Sequence, residues 1–549
     1  MIRTPLKILI TLTLVFSIMI PTAVFADESD EDNREAVEEI DAALLNKNVI
    51  LEEDIVAKGE DQDAVFVGAD NGHTAEVTTQ NVSAEDGFGI VVHADNGSTA
   101  EVTVNGDATG KGEDTTGPYA QGVLVESDTD SKATVTVTGD VSGSQTAIGA
   151  GAHSGGETTV TVTGDAVTAK NGYGVGALIL DESPGSKSAV TINVGGDAKG
   201  PGGIAVRNGI DETVSEIMWG ERQNSYGGVA KVTVEGNAIA SELTGIEATT
   251  FNGGVSDIFV AGDVKAEKIG IYAVADKSSS NNIVVAGTVS GKDAGVTISK
   301  NNSLTVWKIE TKGDAPLVGT YDTDTHHFVE NKEAEKTIQY IIKVEQPKGA
   351  TLRATDDRGK NLATVTAANG STFEYAHTGD KVLLKIDIDD DYKLDAVYGD
   401  KGQQYKLVKD ESGNYYVEVP AGGGVYFSAV LTKKDKDKDK EEEKNKDTKT
   451  ESNTWSVMST ESQNAITSIT TAPTGGTANI AITTGTIDAS VVRMILARRD
   501  INVSIACFVN GKLCVITIPA GADVSGLIAA NGTIDVAKLA EKFGSVEVR

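Results

Sequence analysis

Two twelve-residue phrases, 67–78 and 92–103, nearly repeat one another at an offset of 25 residues: Val-Gly-Ala-Asp-Asn-Gly-His-Thr-Ala-Glu-Val-Thr against Val-His-Ala-Asp-Asn-Gly-Ser-Thr-Ala-Glu-Val-Thr. Such a period constrains a fold more than any propensity does, because each repeat must be one unit of an array. The same two signals run on through the chain. A small residue followed by an apolar one recurs at Ala64, Gly89, Gly122, Ala147, Gly174, Gly203, Gly245, Gly270 and Gly295. A valine-rich alternation ending in a turn residue recurs at Asn81, Gly106, Gly139, Gly164, Gly196, Gly236, Gly262, Gly287 and Gly313. Before these turns stand pairs such as Val102 and Val104, Val135 and Val137, and Ile192 and Val194, a period of two with β-branched residues on one face. One such strand cannot bury that face alone, and no helical pattern lies between the strands to make βαβ units. Stacking each repeat on the next buries every face in one continuous core. The expectation is a mainly β chain built on a parallel β-helix of about nine coils, roughly 43 Å long at 4.8 Å per coil.

Aromatic residues at 5% and 60 glycines suit the thin, small-residue core of a solenoid better than a compact globule. In coil length and glycine-bounded strands, 62–321 resembles the right-handed β-helix passengers of bacterial surface and secreted proteins. The resemblance is architectural and carries no activity with it. A solenoid needs covered ends. The stretch 33–46, with Ala36, Val37, Ile40, Ala43 and Leu44 at helical spacing, is the expected N-terminal cap, and Trp307 with the region after it the C-terminal one.

Residues 1–26 have the form of an export signal: Arg3 and Lys7, an apolar run over 8–20, and Val24-Phe25-Ala26 as a small-residue cleavage site. Without it, 46 basic residues face 81 acidic ones, a net charge near −35. That balance argues against nucleic acid or an anionic membrane as partner. No second apolar stretch is long enough to span a membrane. Sortase motif, wall-anchoring tail and barrel-sized C-terminal region are also missing, so a secreted Gram-positive-type protein, with or without cell-wall association, is expected. The sequence lacks a nucleophile elbow, a phosphate loop, a zincin helix and an EF-hand loop, and its adjacent pair His326-His327 has the character of surface residues.

An acidic segment with the helical cap occupies 27–60 and the β-helix 61–331. Over 332–432 the composition shifts to more Tyr and Lys and longer alternating strands. The strings at 379–384, 392–397 and 416–422 are similar to the internalin B-repeat, also called the bacterial repeat. That resemblance implies an extracellular, non-catalytic β-module. The acidic run Asp387, Asp389, Asp390 and Asp391 lacks EF-hand spacing and falls at the family's polar turn. Residues 433–454 form a charged, flexible linker. An α+β module is expected over 455–549: Asp488 caps a helix over 489–499, a hairpin turns at Asn510-Gly511, and a last helix over 536–543 lies between Asp535 and Gly544.

Insertions into a regular coil mark surfaces that something has elaborated. From the small residue to the turn glycine the usual interval is 17 residues, but it is 22 in the coil starting at Gly174 and 33 in the next, starting at Gly203. The two loops should therefore project side by side. The longer one carries Arg207, Glu216, Trp219, Glu221, Arg222 and Tyr226, an aromatic face with charged hydrogen-bonding groups around it, suited to a sugar ring. The alternative is an ordinary loop with Trp219 folded back on the coil. A third extension, 107–121, lies in the opposite connection of its coil and is expected to be structural, unable to share a site with the first pair.

Asp107, Asp140, Asp165 and Asp197 each follow a turn glycine and should stack one coil apart. They are either plain turn residues or a calcium-binding ladder; no other cofactor is expected. At the hairpin, a two-residue turn sets Cys507 opposite Cys514, within reach of a disulfide, with two buried free thiols as the alternative.

The leading functional expectation is a non-catalytic adhesin or glycan-binding stalk whose partner is an extracellular glycan, a cell-wall polymer or a host surface protein. A carbohydrate-active enzyme of the polysaccharide lyase type is the competing class, and a basic cleft below the inserted loops would mark it. A passive spacer of a surface layer or matrix is the third reading.

Overall fold

The computed structural model describes residues 47–434 except 59–62, 113–120, 171, 186, 211–224 and 323–324, together with 465–547 except 466–467, 470–471, 473–474, 483–485, 488, 510–511, 523, 525–526, 528–532 and 545. The chain divides into two compact units, 1–436 and 437–549.

The first unit is a parallel β-solenoid. Each coil supplies strands to three faces, as in coil 2, where Ile90–Ala94, Thr99–Val104 and Ala108–Gly110 follow one another. First-face strands form a nine-stranded parallel sheet, one strand per coil. In the last two coils the second and third strands run together as Ser280–Gly291 and Asn302–Thr311. Along the second face the register is kept through the column Val102, Val135, Val160, Ile192, Val232, Ile258 and Ile283. These residues are buried, so the period of two in the sequence becomes a single apolar column. Each such side chain contributes about 1.5–3 kcal/mol on burial. Between first and second faces the chain reverses through Asp70–His73 and Asp95–Ser98, closed by His73 N–H to Asp70 O (3.2 Å) and Ser98 N–H to Asp95 O (3.2 Å). Both central residues of each turn have positive φ: 57° and 74° for Asn71 and Gly72, 53° and 74° for Asn96 and Gly97. Asn-Gly adopts that geometry at least cost.

Stacking starts before the sequence boundary at 61. Lys47–Ile50 pairs with Thr74–Thr79 and Ile55–Ala57 with Val82–Ala84, an incomplete coil with no described first-face strand. It escaped the periodicity because 47–57 holds no glycine. The helical cap expected over 33–46 lies outside the described residues.

At the far end, Thr305 and Val306 pair with Gln339 and Tyr340. The Gly424 N–H donates to Trp307 O (2.8 Å), and Trp307 Nε1 donates to Val425 O (3.3 Å). Tyr340 and Phe427 are wholly buried in a core continuous with that of the coils. The region after Trp307 thus closes the solenoid as expected. Its strands Ala363–Thr366 and Thr372–Ala376 form a hairpin that packs on the outer surface of the second face. There the outward residues become apolar: Phe259 stacks on Phe373 with ring centroids 6.0 Å apart, and Val284 and Trp307 belong to the same patch.

The second unit has its own core. Thr477–Ile482, Asn502–Val509, Lys512–Ile518 and Val546–Glu547 form a four-stranded sheet, accompanied by helices Ala489–Ala497 and Val536–Phe543. Asp535 caps the last helix, its Oδ1 accepting the Ala537 N–H at 2.8 Å, and Gly544 ends it at φ 79°. Asp488 lies outside the described residues.

Candidate functional site

The insertions of coils 5 and 6 leave equivalent points of the first face, because Ile179 and Asn208, next to their starts, are register partners. Their roots are joined. Asp181 and Tyr226 exchange backbone hydrogen bonds of 2.9 and 2.8 Å, and Ile210 and Ser225 exchange two of 3.1 Å. The Asn252 amide reaches from coil 7 to Ile210 O and Ser225 O, both at 2.9 Å. Side-by-side projection, inferred from interval lengths, is therefore met at the loop bases. The 107–121 extension enters the opposite end of the first-face strands.

Two of the six residues expected to bind ligand fall in the described structure. Arg207 lies on the outer surface of the first face, almost buried, its Nη2 3.6 Å from Glu247 Oε1. Tyr226, half-buried, ends the coil 6 insertion. Glu216, Trp219, Glu221 and Arg222 lie outside the described residues. Sequence reasoning missed the partners of Arg207. The Tyr173 hydroxyl spans two coils to donate to Glu247 Oε2 at 2.5 Å. Burial, then the Glu247 carboxylate, pushes the Tyr173 phenol well up. Only the register shows this meeting, since Tyr173 and Glu247 are 74 residues apart in sequence. Farther along the same face, Glu126 is the register partner of His93. Burial raises its carboxyl, and the neighbouring His153 and His93 partly offset the rise.

Under the loop roots the core turns polar. Asn208, fully buried, donates from Nδ2 to Val255 O (2.9 Å) and Gly228 O (3.0 Å), and its Oδ1 accepts the Gly228 N–H (2.8 Å). In coils 8 and 9, Asn281 donates to Val274 O (3.0 Å) and to Asn302 Oδ1 (2.7 Å). A core asparagine is tolerable only when satisfied in this way.

The corner aspartates form one hydrogen-bonded ladder. Asp107 Oδ1 accepts the N–H of Asp140, Asp140 that of Asp165, and Asp165 that of Asp197, each at 2.8 Å. Asp197 passes the pattern to Asn237 at 2.7 Å, and Asn81 starts it by accepting the Asp107 N–H at 2.9 Å. One carboxylate oxygen per residue is thus engaged by backbone. Between Asp165 and Asp197 the Lys199 ammonium sits 2.8 and 2.9 Å from their Oδ2 atoms, supplying positive charge. Burial raises the Asp197 carboxyl, but the Asn237 N–H, Lys199 and the Asn237 amide outweigh it and hold the group below its usual range. The plain-turn reading leads to a thermal melt that millimolar Ca2+ leaves unmoved; a calcium-dependent rise would assign metal to the ladder.

Among the described residues, no group of three or more His, Cys, Asp or Glu is placed to hold a metal ion. The run at 387–391 is largely exposed.

In the second unit Cys507 and Cys514 are register partners, as the turn at 510–511 implies. Both are buried free thiols, and burial with the Cys514 thiol alongside pushes Cys507 up. Their opposition is within the range an oxidant could bridge. Exported protein denatured and alkylated without reductant is expected to show no labelled cysteine by mass spectrometry; two labels per chain would leave them as core thiols.

Comparisons of this chain with protein-family models, with curated proteins and with solved structures find no match.

Proposed function

We propose that this chain is a secreted or cell-surface-associated, non-catalytic adhesin whose β-helix stalk binds an extracellular glycan through the paired insertions of coils 5 and 6. The observation that carries the reading is the stapling of the two loop roots through Asp181–Tyr226 and Asn252. Holding both roots in place reduces the ordering entropy that a loop site loses on binding. Arg207, Trp219 and Tyr226 are the expected contacts, with Glu216, Glu221 and Arg222 beside them.

Polysaccharide lyase chemistry on an anionic polymer is less well supported. Below the loops, Arg207 is paired with Glu247, and Glu126 lies farther along the same face, so a polyanion would meet carboxylates beside the Arg207 guanidinium. The internalin B-repeat likeness of 332–432, the Gram-positive source and a cell-wall polymer or host surface protein as carrier of the glycan belong to the same proposal. A glycan-array screen of the full chain and of Trp219→Ala tests it. The substitution is expected to lower binding at least tenfold with the melting temperature unchanged. Binding that survives unchanged would remove the loops as the site and favour the spacer reading.

A further inference from the structure

Where the solenoid meets the hairpin 363–376, a polar row runs beside an apolar patch. Lys231, Asp257, Asn282 and Ser303 are successive register partners in coils 6 to 9, on the outer surface of the second face. They stand about 4.8 Å apart. The adjacent outward column, Phe259 and Val284, is apolar and covered by Val365, Ala367, Ala368 and Phe373 of the hairpin. At its tip, Asn369 Nδ2 reaches Glu235 Oε1 at 3.3 Å. The hairpin therefore covers one column and stops beside the other. What results is a cleft of about 180 Å³ with Lys231, Asp257, Asn282 and Ser303 along it and Val284, Val365, Ala367 and Ala368 as an apolar wall.

Inside this cleft Asn282 Nδ2 donates to Asp257 Oδ1 at 2.7 Å, which fixes both planar groups. The remaining carboxylate oxygen, the Lys231 ammonium and the Ser303 hydroxyl make no hydrogen bond or ion pair with any described residue. Donors and acceptors thus alternate in one row with capacity to spare, facing an apolar wall. The geometry points to this cleft as a subsite for a neutral hexopyranose unit of a glycan. Vicinal hydroxyls donate to Asp257 and Ser303 and accept from Lys231 and Asn282, while the C–H face of the ring lies on Val365 and Ala367. Opposite charges on Lys231 and Asp257 leave no net field to favour an anionic sugar. The volume, below the roughly 300–1,000 Å³ of pockets for drug-sized ligands, holds one ring rather than a large ligand. Before Lys231 the same column continues as Thr134, Thr159 and Thr191, so further sugars of an extended chain meet hydroxyls at a coil spacing close to their own advance. The site shares no residue with the inserted loops and goes beyond the function proposed for them.

Isothermal titration of the full chain with cellotetraose, mannotetraose and chitotetraose tests the assignment, with tetragalacturonate as an anionic control. At least one neutral tetramer is expected to bind, at least tenfold more weakly to Asp257→Ala and to Asn282→Ala, and equally to Glu411→Ala, an exposed residue outside both sites; tetragalacturonate is not. Both cleft substitutions are at the surface, and an unchanged melting temperature confirms that they fold. Absence of heat with all three neutral sugars, binding indifferent to Asp257→Ala and Asn282→Ala, or preference for tetragalacturonate would each overturn the proposal. Loss in Trp219→Ala alone would move the binding to the loops and overturn it too, leaving the loop reading standing.

Discussion

Asn208→Leu is expected to lower the unfolding midpoint of the first unit by several degrees and to weaken ligand binding at the inserted loops as well. Leucine matches asparagine in size but strips the Gly228 N–H of its partner, Asn208 Oδ1 at 2.8 Å. It also takes the amide from Gly228 O and Val255 O. A buried donor left unsatisfied costs about 1–3 kcal/mol, and the weakened carbonyls add to that. Because Gly228 is the last residue before the second-face strand of coil 6, the damage falls where the longer insertion rejoins the helix. Thermal melts with and without a bound glycan would show both effects. A variant as stable as the parent would mean that the polar column contributes nothing to coil stacking.

Gly164→Ala should be nearly as damaging, by a different route. A Cβ at this corner would lie 2.1 Å from Asp140 Oδ1 and 2.6 Å from Gly139 O. The coils cannot separate to admit it without breaking the bond from Asp165 N–H to Asp140. Overpacking of this kind costs about 1–3 kcal/mol, and the lost ladder bond about 1 more. Gly72→Ala is the contrast. There φ is +74° but no atom lies within 4 Å of the added carbon. Only the left-handed backbone strain of about 1–2 kcal/mol remains. Urea unfolding of the two variants separates steric from conformational roles, and equal losses would contradict the ladder account.

The corner explains why Gly-Asp recurs in the sequence. Glycine admits the carboxylate of the coil before, and that carboxylate receives the next backbone N–H. The dipeptide was legible as a turn, but its second role needed the register, because the partner is 25 residues away in one pair and 33 in another. The cysteine pairing was legible for the opposite reason: a two-residue turn sets its own register locally.

By itself, the sequence determined the repeating architecture. A period of 25 with β-branched residues at every second position leaves stacking as the only way to bury each face, and Asn-Gly and Gly-Asp mark the corners. It also located the insertions, since interval length is counted along the chain. Tertiary structure alone decided what meets across coils: Tyr173 with Glu247, Asn208 with Gly228, and the polar row Lys231 to Ser303 beside the returning hairpin. Those contacts depend on how many residues each insertion adds between register partners and on where Phe259 and Val284 draw the hairpin down. Local periodicity is blind to such distances because strand pairing in a solenoid joins equivalent positions of successive coils, however much chain lies between them.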